Sequence, residues 1–129
     1  MIRACRLVCA VLVLAGCADD PSGPGTYEGR VRSSTLTPGA VVLDLTGVGI
    51  EGIKGEGGTT AFWNRTSGTE GGSESFRVVL VKEIPGELNF SVDVSNLENP
   101  APTGVVVSAV HGSNVPAGDL NSFSVELIR

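Results

Sequence analysis

The segment Leu88-Asn-Phe-Ser-Val-Asp-Val94 decides the fold class of this chain. Large apolar side chains stand at every second position, and Asn89, Ser91 and Asp93 occupy the positions between them. A period of two is typical of a β-strand with one buried face, because successive side chains point to opposite sides of the sheet. We therefore predict a strand over 88–94 whose apolar positions lie in the core, with Asn89, Ser91 and Asp93 facing water.

Similar segments recur on both sides of this strand, separated by clusters of Gly, Pro, Asn and Ser. No stretch keeps apolar residues at helical spacing over three turns. Further strands are predicted over 27–33, 40–46, 50–54, 59–66, 75–83, 103–111 and 121–128, with the Val-rich segment 103–111 as a central strand. Seven to nine short strands with one-sided alternation favour an all-β fold, an antiparallel two-sheet sandwich over 27–129.

This pattern of short strands resembles the immunoglobulin-like and cohesin-like sandwiches of bacterial surface proteins. A true immunoglobulin domain is not expected, because the chain lacks the Cys…Trp…Cys spacing. Cohesins dock a partner module, but that role does not carry over residue by residue to this chain. Edge strands are the natural partner site of such a sandwich, since their unpaired backbone groups accept another strand.

The first seventeen residues, MIRACRLVCAVLVLAGC, have the order of a bacterial export signal. Arg3 and Arg6 make a positive start, and the apolar stretch 7–15 is about half the ~20 residues that a membrane-spanning helix needs. The stretch ends in Leu14-Ala-Gly-Cys17, which resembles the lipobox of bacterial lipoproteins. That resemblance implies a signal peptide over 1–16, a diacylglyceryl group on the Cys17 sulfur, and attachment to a membrane through this lipid.

Residues 17–26 are dense in Pro, Gly and polar side chains, which predicts a flexible tether between the lipid and the domain. Two or three acyl chains on Cys17 would hold the protein firmly without a protein span. In enterobacterial lipoproteins an Asp after the lipidated Cys favours the inner membrane. Ala18 stands there instead, so the resemblance implies the outer membrane, if the organism has one.

Charge and cysteine content exclude several classes of function. The chain carries 9 basic and 14 acidic side chains, a formal charge of −5, and cleavage before Cys17 would remove two arginines and make it −7. Nucleic acid is not an expected partner, because phosphate contacts need clustered Lys and Arg. After this cleavage Cys17 would be the one cysteine that remains, which excludes a disulfide framework. A hydrophobic content of 41% excludes a disordered chain.

Several motifs point to chemistry only weakly. The sequence 47–52 fits G-x-G-x-x-G, but glycines follow where a dinucleotide site needs a helix. His111 is the only histidine, no G-x-S-x-G surrounds a serine, and a zinc site needs three or four Cys or His ligands. Asp93, Glu98 and Asp119 are loose candidates for calcium ligands. We predict no metal and no other cofactor.

Trp63, Asn64 and Arg65 form the candidate binding site. An indole can stack on a sugar ring while the amide and guanidinium donate hydrogen bonds, whereas the competing interpretation places Trp63 in the core or at a sheet edge. We expect a lipid-anchored, non-catalytic binding or structural module of the cell envelope, with a protein or glycan partner. The alternative is a small hydrolase that uses two carboxylates, which would need a concave pocket with convergent polar groups.

Overall fold

The computed structural model describes residues 22–129 except Leu36 and Asn114. Within these residues the chain forms eight β-strands and no helix, so no helix there has the length and hydropathy to cross a bilayer. The strands are β1 Gly25–Ser33, β2 Pro38–Val48, β3 Ile50–Glu56, β4 Thr59–Gly68, β5 Ser73–Lys82, β6 Leu88–Val94, β7 Thr103–His111 and β8 Phe123–Ile128. The predicted signal segment 1–16, Cys17 and the tether up to residue 21 lie outside the described residues.

The strands form two antiparallel sheets of four, which confirms the predicted two-sheet sandwich. Sheet A has the order β3-β6-β1-β8, and sheet B has the order β4-β5-β2-β7. The pairs β1·β8, β2·β7, β3·β6 and β4·β5 are nested around the β4–β5 connection. Because of this nesting, most strands find their partners far away along the sequence.

The core is a single layer of alternating side chains between the two sheets. Val41, Leu43 and Leu45 of β2 are fully buried, as are Leu88 and Val92 of β6. Complete burial of an aliphatic side chain contributes roughly 1.5–3 kcal/mol relative to exposure. The period-two pattern thus places the apolar phase of β2 and β6 where the sequence predicts it.

One predicted surface residue is buried. Ser91 is only 6% exposed, because it lies among longer side chains on the outer face of sheet A, and its hydroxyl donates a hydrogen bond of 3.1 Å to Glu56 Oε1. Asp93, two residues further, is exposed and accepts a hydrogen bond of 2.7 Å from the Thr26 hydroxyl. The prediction was therefore wrong for Ser91 and right for Asp93.

The predicted central position of β7 is also wrong. This strand pairs only with β2 and forms the edge of sheet B. A register shift opposite Val42 and Leu43 inserts an extra residue into β7, and Val105 and Val107 are 64% and 38% exposed. The valines of β7 therefore reflect an apolar outer face of sheet B rather than burial on both sides.

The packing where the two sheets approach each other predicts an asymmetry between two glycines of β3. A Cβ built on Gly55 would collide with the backbone carbonyl oxygen of Thr59, whereas one on Gly52 would have only Asp93 Oδ2 near it, at 3.9 Å. We expect Gly55→Ala to lower the free energy of unfolding by about 2 kcal/mol, because the Thr59 backbone must shift. Gly52→Ala is the matched control and is expected to be neutral or stabilising by about 0.5 kcal/mol. Urea denaturation measures both, and equal midpoints would contradict this account of the packing.

Candidate functional site

A cleft opens between β3 and β4, which belong to different sheets but follow each other in the chain. The strands are joined by Gly57 and Gly58, whose φ angles of +58° and +85° allow a tight two-residue turn that other residues rarely adopt. Near this turn the strands pack closely. At the other end of the pair a cleft of about 520 Å³ separates Ile50 and Glu51 of β3 from Trp63 and Arg65 of β4.

The cleft is lined by two aromatic rings from neighbouring strands of sheet B. Trp63 is 42% exposed, and its ring meets that of Phe76 edge to face, with the centroids 5.6 Å apart and an interplanar angle of 73°. The Arg65 guanidinium lies 6.0 Å from the centroid of the Phe76 ring. Aromatic and cation–π contacts of this kind each contribute about 0.5–1.5 kcal/mol. They fix two exposed side chains over a buried ring.

A carboxylate lies at an interior position of the same cleft. The Glu74 side chain is 1% exposed, and its Oε2 accepts a hydrogen bond of 2.8 Å from Arg65 Nε. Its Oε1 is buried and, within the part of the chain that the structure describes, is the one buried side-chain nitrogen or oxygen atom without a hydrogen-bond partner. Burial of a polar atom without a partner is costly and rare in folded proteins. Glu74 Oε1 therefore offers unused acceptor capacity in the wall of the cleft.

The rim of the cleft is acidic. Glu51 at the start of β3 and Glu70 in the β4–β5 loop are both exposed and line the cleft together with Glu74. Against these three carboxylates stands one basic side chain, Arg65. The cleft therefore has an excess of negative charge and favours a cationic ligand over an anionic one.

The structure brings together two of the three predicted binding residues. Trp63 and Arg65 lie on the same face of β4 and line the cleft, and Trp63 sits at a sheet edge, as the competing interpretation also expected. Asn64 lies between them in the strand, does not line this cleft, and is paired in register with Arg77. A strand cannot present three successive side chains to one site, so Asn64 does not belong to the candidate site.

Glu74 and Phe76 belong to the site and were not among the predicted residues. The alternation of β5 contains a usable signal, because Glu74 falls in the same phase as the buried residues Phe76, Val78 and Leu80. A charged residue in the buried phase of a strand is unusual unless it is paired. The signal is missed when the strand is predicted to begin at residue 75, because Glu74 then lies outside it. The strand begins at Ser73, two residues earlier.

The remaining predicted candidates do not assemble into a site. Asp93 binds Thr26, and Asp119 Oδ1 accepts the backbone N–H of Asn121 at 2.9 Å. Glu98 lies in the β6–β7 loop, and across residues 22–129, Leu36 and Asn114 apart, no group of three His, Cys, Asp or Glu side chains is placed to hold a metal ion. His111 ends β7, where its backbone N–H donates to the Val115 carbonyl at 2.9 Å.

The glycine motif 47–52 runs from the end of β2 into β3. Gly49 has a φ of +67° and makes the bend between the two strands. The segment that follows is strand β3 and not the helix that a dinucleotide site requires. The motif therefore serves the connection between the sheets.

The two outer faces of the sandwich differ in character. Sheet A carries a polar groove of about 490 Å³, whose charged members include Glu28, Arg30, Lys54 and Glu56. Sheet B instead exposes large apolar side chains, among them Phe62 at 61%. Beside them Arg77 binds Asp44, and this hydrogen bond, followed by charge attraction, raises the pKa of the Arg77 guanidinium above its ordinary value.

Comparisons with known proteins assign no family to this chain. No protein-family model matches it, and no match is found among curated proteins or solved structures.

Proposed function

We propose that this protein is a lipid-anchored module of the bacterial cell envelope that binds a partner without catalysis, through the cleft between β3 and β4. One observation carries the binding part of the proposal. Trp63 and Arg65, each about two-fifths exposed, line one cleft together with the buried, incompletely paired carboxylate of Glu74. Trp and Arg are the residue types that most often dominate binding energies at interfaces.

The edge position of β4 supports a polypeptide partner. This strand pairs with β5 on one side only, and its residues from Phe62 to Gly68 are exposed. Its free backbone donors and acceptors can pair with an extended segment of another chain, while alternate side chains of that segment enter the cleft. A glycan partner would use the Trp63 ring alone, since the cleft offers no second exposed aromatic platform among the described residues.

The anchoring part of the proposal rests on the lipobox-like sequence that ends at Cys17. Seven residues lie between Cys17 and Gly25, the first residue of β1, and the eight steps of the chain limit the reach of an extended tether to about 28 Å. Gly25 pairs with Val94, and Val94 also pairs with Ile50 at the cleft. The tether therefore joins the sandwich at the end where the cleft opens, and the proposed partner lies within reach of the membrane surface.

The anchor predicts a specific labelling result. Cells grown with an alkyne fatty-acid analogue are expected to label the wild-type protein, and Cys17→Ala is expected to remove the label, because the Cys17 sulfur is the proposed attachment point of the diacylglyceryl group. Cys9→Ala is the matched control and keeps the label, since Cys9 lies in the segment that is cleaved off. Full labelling of Cys17→Ala would refute the anchor.

The binding site predicts a matched pair of variants on one strand. A photo-cross-linking amino acid at the exposed rim position 70 of the full-length protein is expected to give a discrete adduct in intact cells. Trp63→Ala is expected to reduce the adduct about tenfold or more, because loss of one central aromatic anchor costs roughly 2 kcal/mol of binding. Asn64→Ala leaves the adduct unchanged, since Asn64 does not line the cleft. Equal adducts from both variants would contradict the assignment of the cleft.

A small carboxylate-dependent hydrolase is the second candidate function. It is favoured by the convergence of Glu51, Glu70 and Glu74 on one cleft. We prefer binding because Trp63 and Arg65 have no role in a reaction carried by two carboxylates alone. Turnover of chromogenic glycosides by the wild-type protein, abolished by Glu74→Gln, would favour the hydrolase instead.

A further inference from the structure

We propose that the cleft takes a positively charged organic group, an ammonium or guanidinium on a short apolar stem, with its N–H donors on Glu74 Oε1 and its stem directed along the cleft toward Trp63. The proposal rests on the proposed function, because it names the ligand class of the same site. It follows from three features of the cleft, namely an unused acceptor, an excess of negative charge and an available aromatic ring.

The unused acceptor is the first feature. A carboxylate has room for about four hydrogen bonds, and Arg65 supplies one donor to Oε2, while Oε1 has none in the described part of the chain. Leaving such an atom buried and unpaired is expensive, so the site gains most from a ligand that brings N–H or O–H donors to it. An anionic group has no donor to offer to Oε1, and the negative charge of the carboxylate would repel it.

The second feature is the negative charge of the cleft, which favours a cationic hydrogen-bond donor over a neutral one. Glu51, Glu70 and Glu74 outnumber Arg65, so a neutral donor leaves the excess negative charge uncompensated whereas a cation balances part of it. An inorganic divalent cation is disfavoured, because such ions need about six to eight oxygen ligands and the described residues hold no group placed to bind a metal. An organic cation needs fewer ligands and tolerates an apolar wall.

The aromatic wall is the third feature, and the protein already contains a model of the contact. The Arg65 guanidinium bonds Glu74 Oε2 while it lies 6.0 Å from the centroid of the Phe76 ring. A second cation on Oε1 would lie beside this pair, with its stem directed along the cleft toward Trp63, whose ring is partly exposed. Burial of an apolar stem against an aromatic side chain contributes about 25 cal/mol for each Å² removed from water, in addition to the hydrogen bonds of the cation.

The sole tryptophan of the chain makes the test direct. Trp63 fluorescence of the lipidated protein in detergent micelles reports on the cleft without interference from another indole. The probes are butylguanidinium, butylammonium, neutral butylurea and methyl glucoside. We expect both cations to change the emission saturably and to bind at least about tenfold more tightly than butylurea, the effect of one charge-assisted hydrogen bond. Binding of methyl glucoside as tight as that of the cations would overturn the proposal.

Three variants separate the cleft from general charge effects. Glu74→Gln keeps the shape of the side chain and is expected to weaken butylguanidinium binding about tenfold. Glu51→Gln combined with Glu70→Gln removes two exposed rim charges without risk to folding and is expected to weaken it about threefold. Glu126→Gln, at an exposed carboxylate on the outer face of sheet A, leaves the dissociation constant within about twofold. An equal loss with Glu126→Gln would show that only net charge matters and would overturn the proposal.

Binding of a peptide distinguishes two sources of the cation, a side chain of a partner polypeptide and a free amine. A pentapeptide with a central lysine between alanines is compared with butylammonium and with the same peptide carrying norleucine. Tighter binding of the lysine peptide than of butylammonium assigns the cation to a partner polypeptide, and equal binding assigns it to a free amine. Cross-linked adducts that need Trp63 but persist in Glu74→Gln would overturn this proposal and leave the proposed function standing.

Discussion

Replacement of Phe90 by alanine is expected to lower the free energy of unfolding by about 3–5 kcal/mol. Phe90 is 1% exposed in β6, where it pairs in register with Gly29 of β1 and Gly55 of β3. A Cβ built on Gly29 would collide with the Phe90 ring, so the ring covers the glycine and occupies the volume that a side chain would need there. Because both cross-strand neighbours lack side chains, neither of them can fill the cavity that alanine would leave.

Phe62→Ala is the matched control for this prediction. Phe62 is 61% exposed on the outer face of sheet B, and its truncation is expected to cost less than about 1 kcal/mol. The two variants are compared by guanidinium denaturation monitored by Trp63 fluorescence. Gly29→Ala combined with Phe90→Ala should be less destabilised than the two single changes together, because the added methyl group fills part of the cavity. Similar losses for Phe90→Ala and Phe62→Ala would contradict the core described here.

The strands were predictable because their alternation is a local property of the sequence. Val41, Leu43 and Leu45 identify a buried face without any knowledge of what covers it. The order of strands within a sheet is different, since it depends on pairings such as β1 with β8 that lie far apart in the chain. The Val-rich β7 shows the difficulty, because valines on both faces suit a central strand and equally suit an edge strand with an apolar outer face.

The candidate site was predictable in its exposed part only. Trp63 and Arg65 are conspicuous because they are large, polar-edged side chains two residues apart on one predicted strand. Glu74 comes from the neighbouring strand, where its phase marks an inward position, but its contact with Arg65 depends on the register between β4 and β5. A sequence gives the type of each side chain, whereas the missing partner of Glu74 Oε1 appears only once the strands are assembled.

Replacement of Arg65 by methionine is expected to lower the free energy of unfolding by about 3 kcal/mol, because it leaves the buried Glu74 carboxylate without its partner. Arg32→Met is the matched control. Arg32 also donates to a glutamate, Glu126, at 2.8 Å. Both side chains of this pair are about half exposed, so the expected loss of unfolding free energy is about 0.5 kcal/mol. The two pairs have the same chemistry and the same distance, so the difference between the two losses measures the burial of Glu74. Equal losses would show that water reaches Glu74 as freely as it reaches Glu126.

Replacement of Glu74 by methionine is expected to act in the opposite direction and to raise the free energy of unfolding by about 1–3 kcal/mol. The methionine fills a similar volume, removes the unpaired oxygen and leaves the Arg65 guanidinium partly in water, since that side chain is 42% exposed. In the double variant the loss caused by Arg65→Met should disappear, because no buried charge is left behind. The same Glu74→Met protein should lose its affinity for butylguanidinium. Gain of stability together with loss of binding is what a carboxylate placed for a ligand predicts, whereas destabilisation by Glu74→Met would show that the carboxylate holds the fold together.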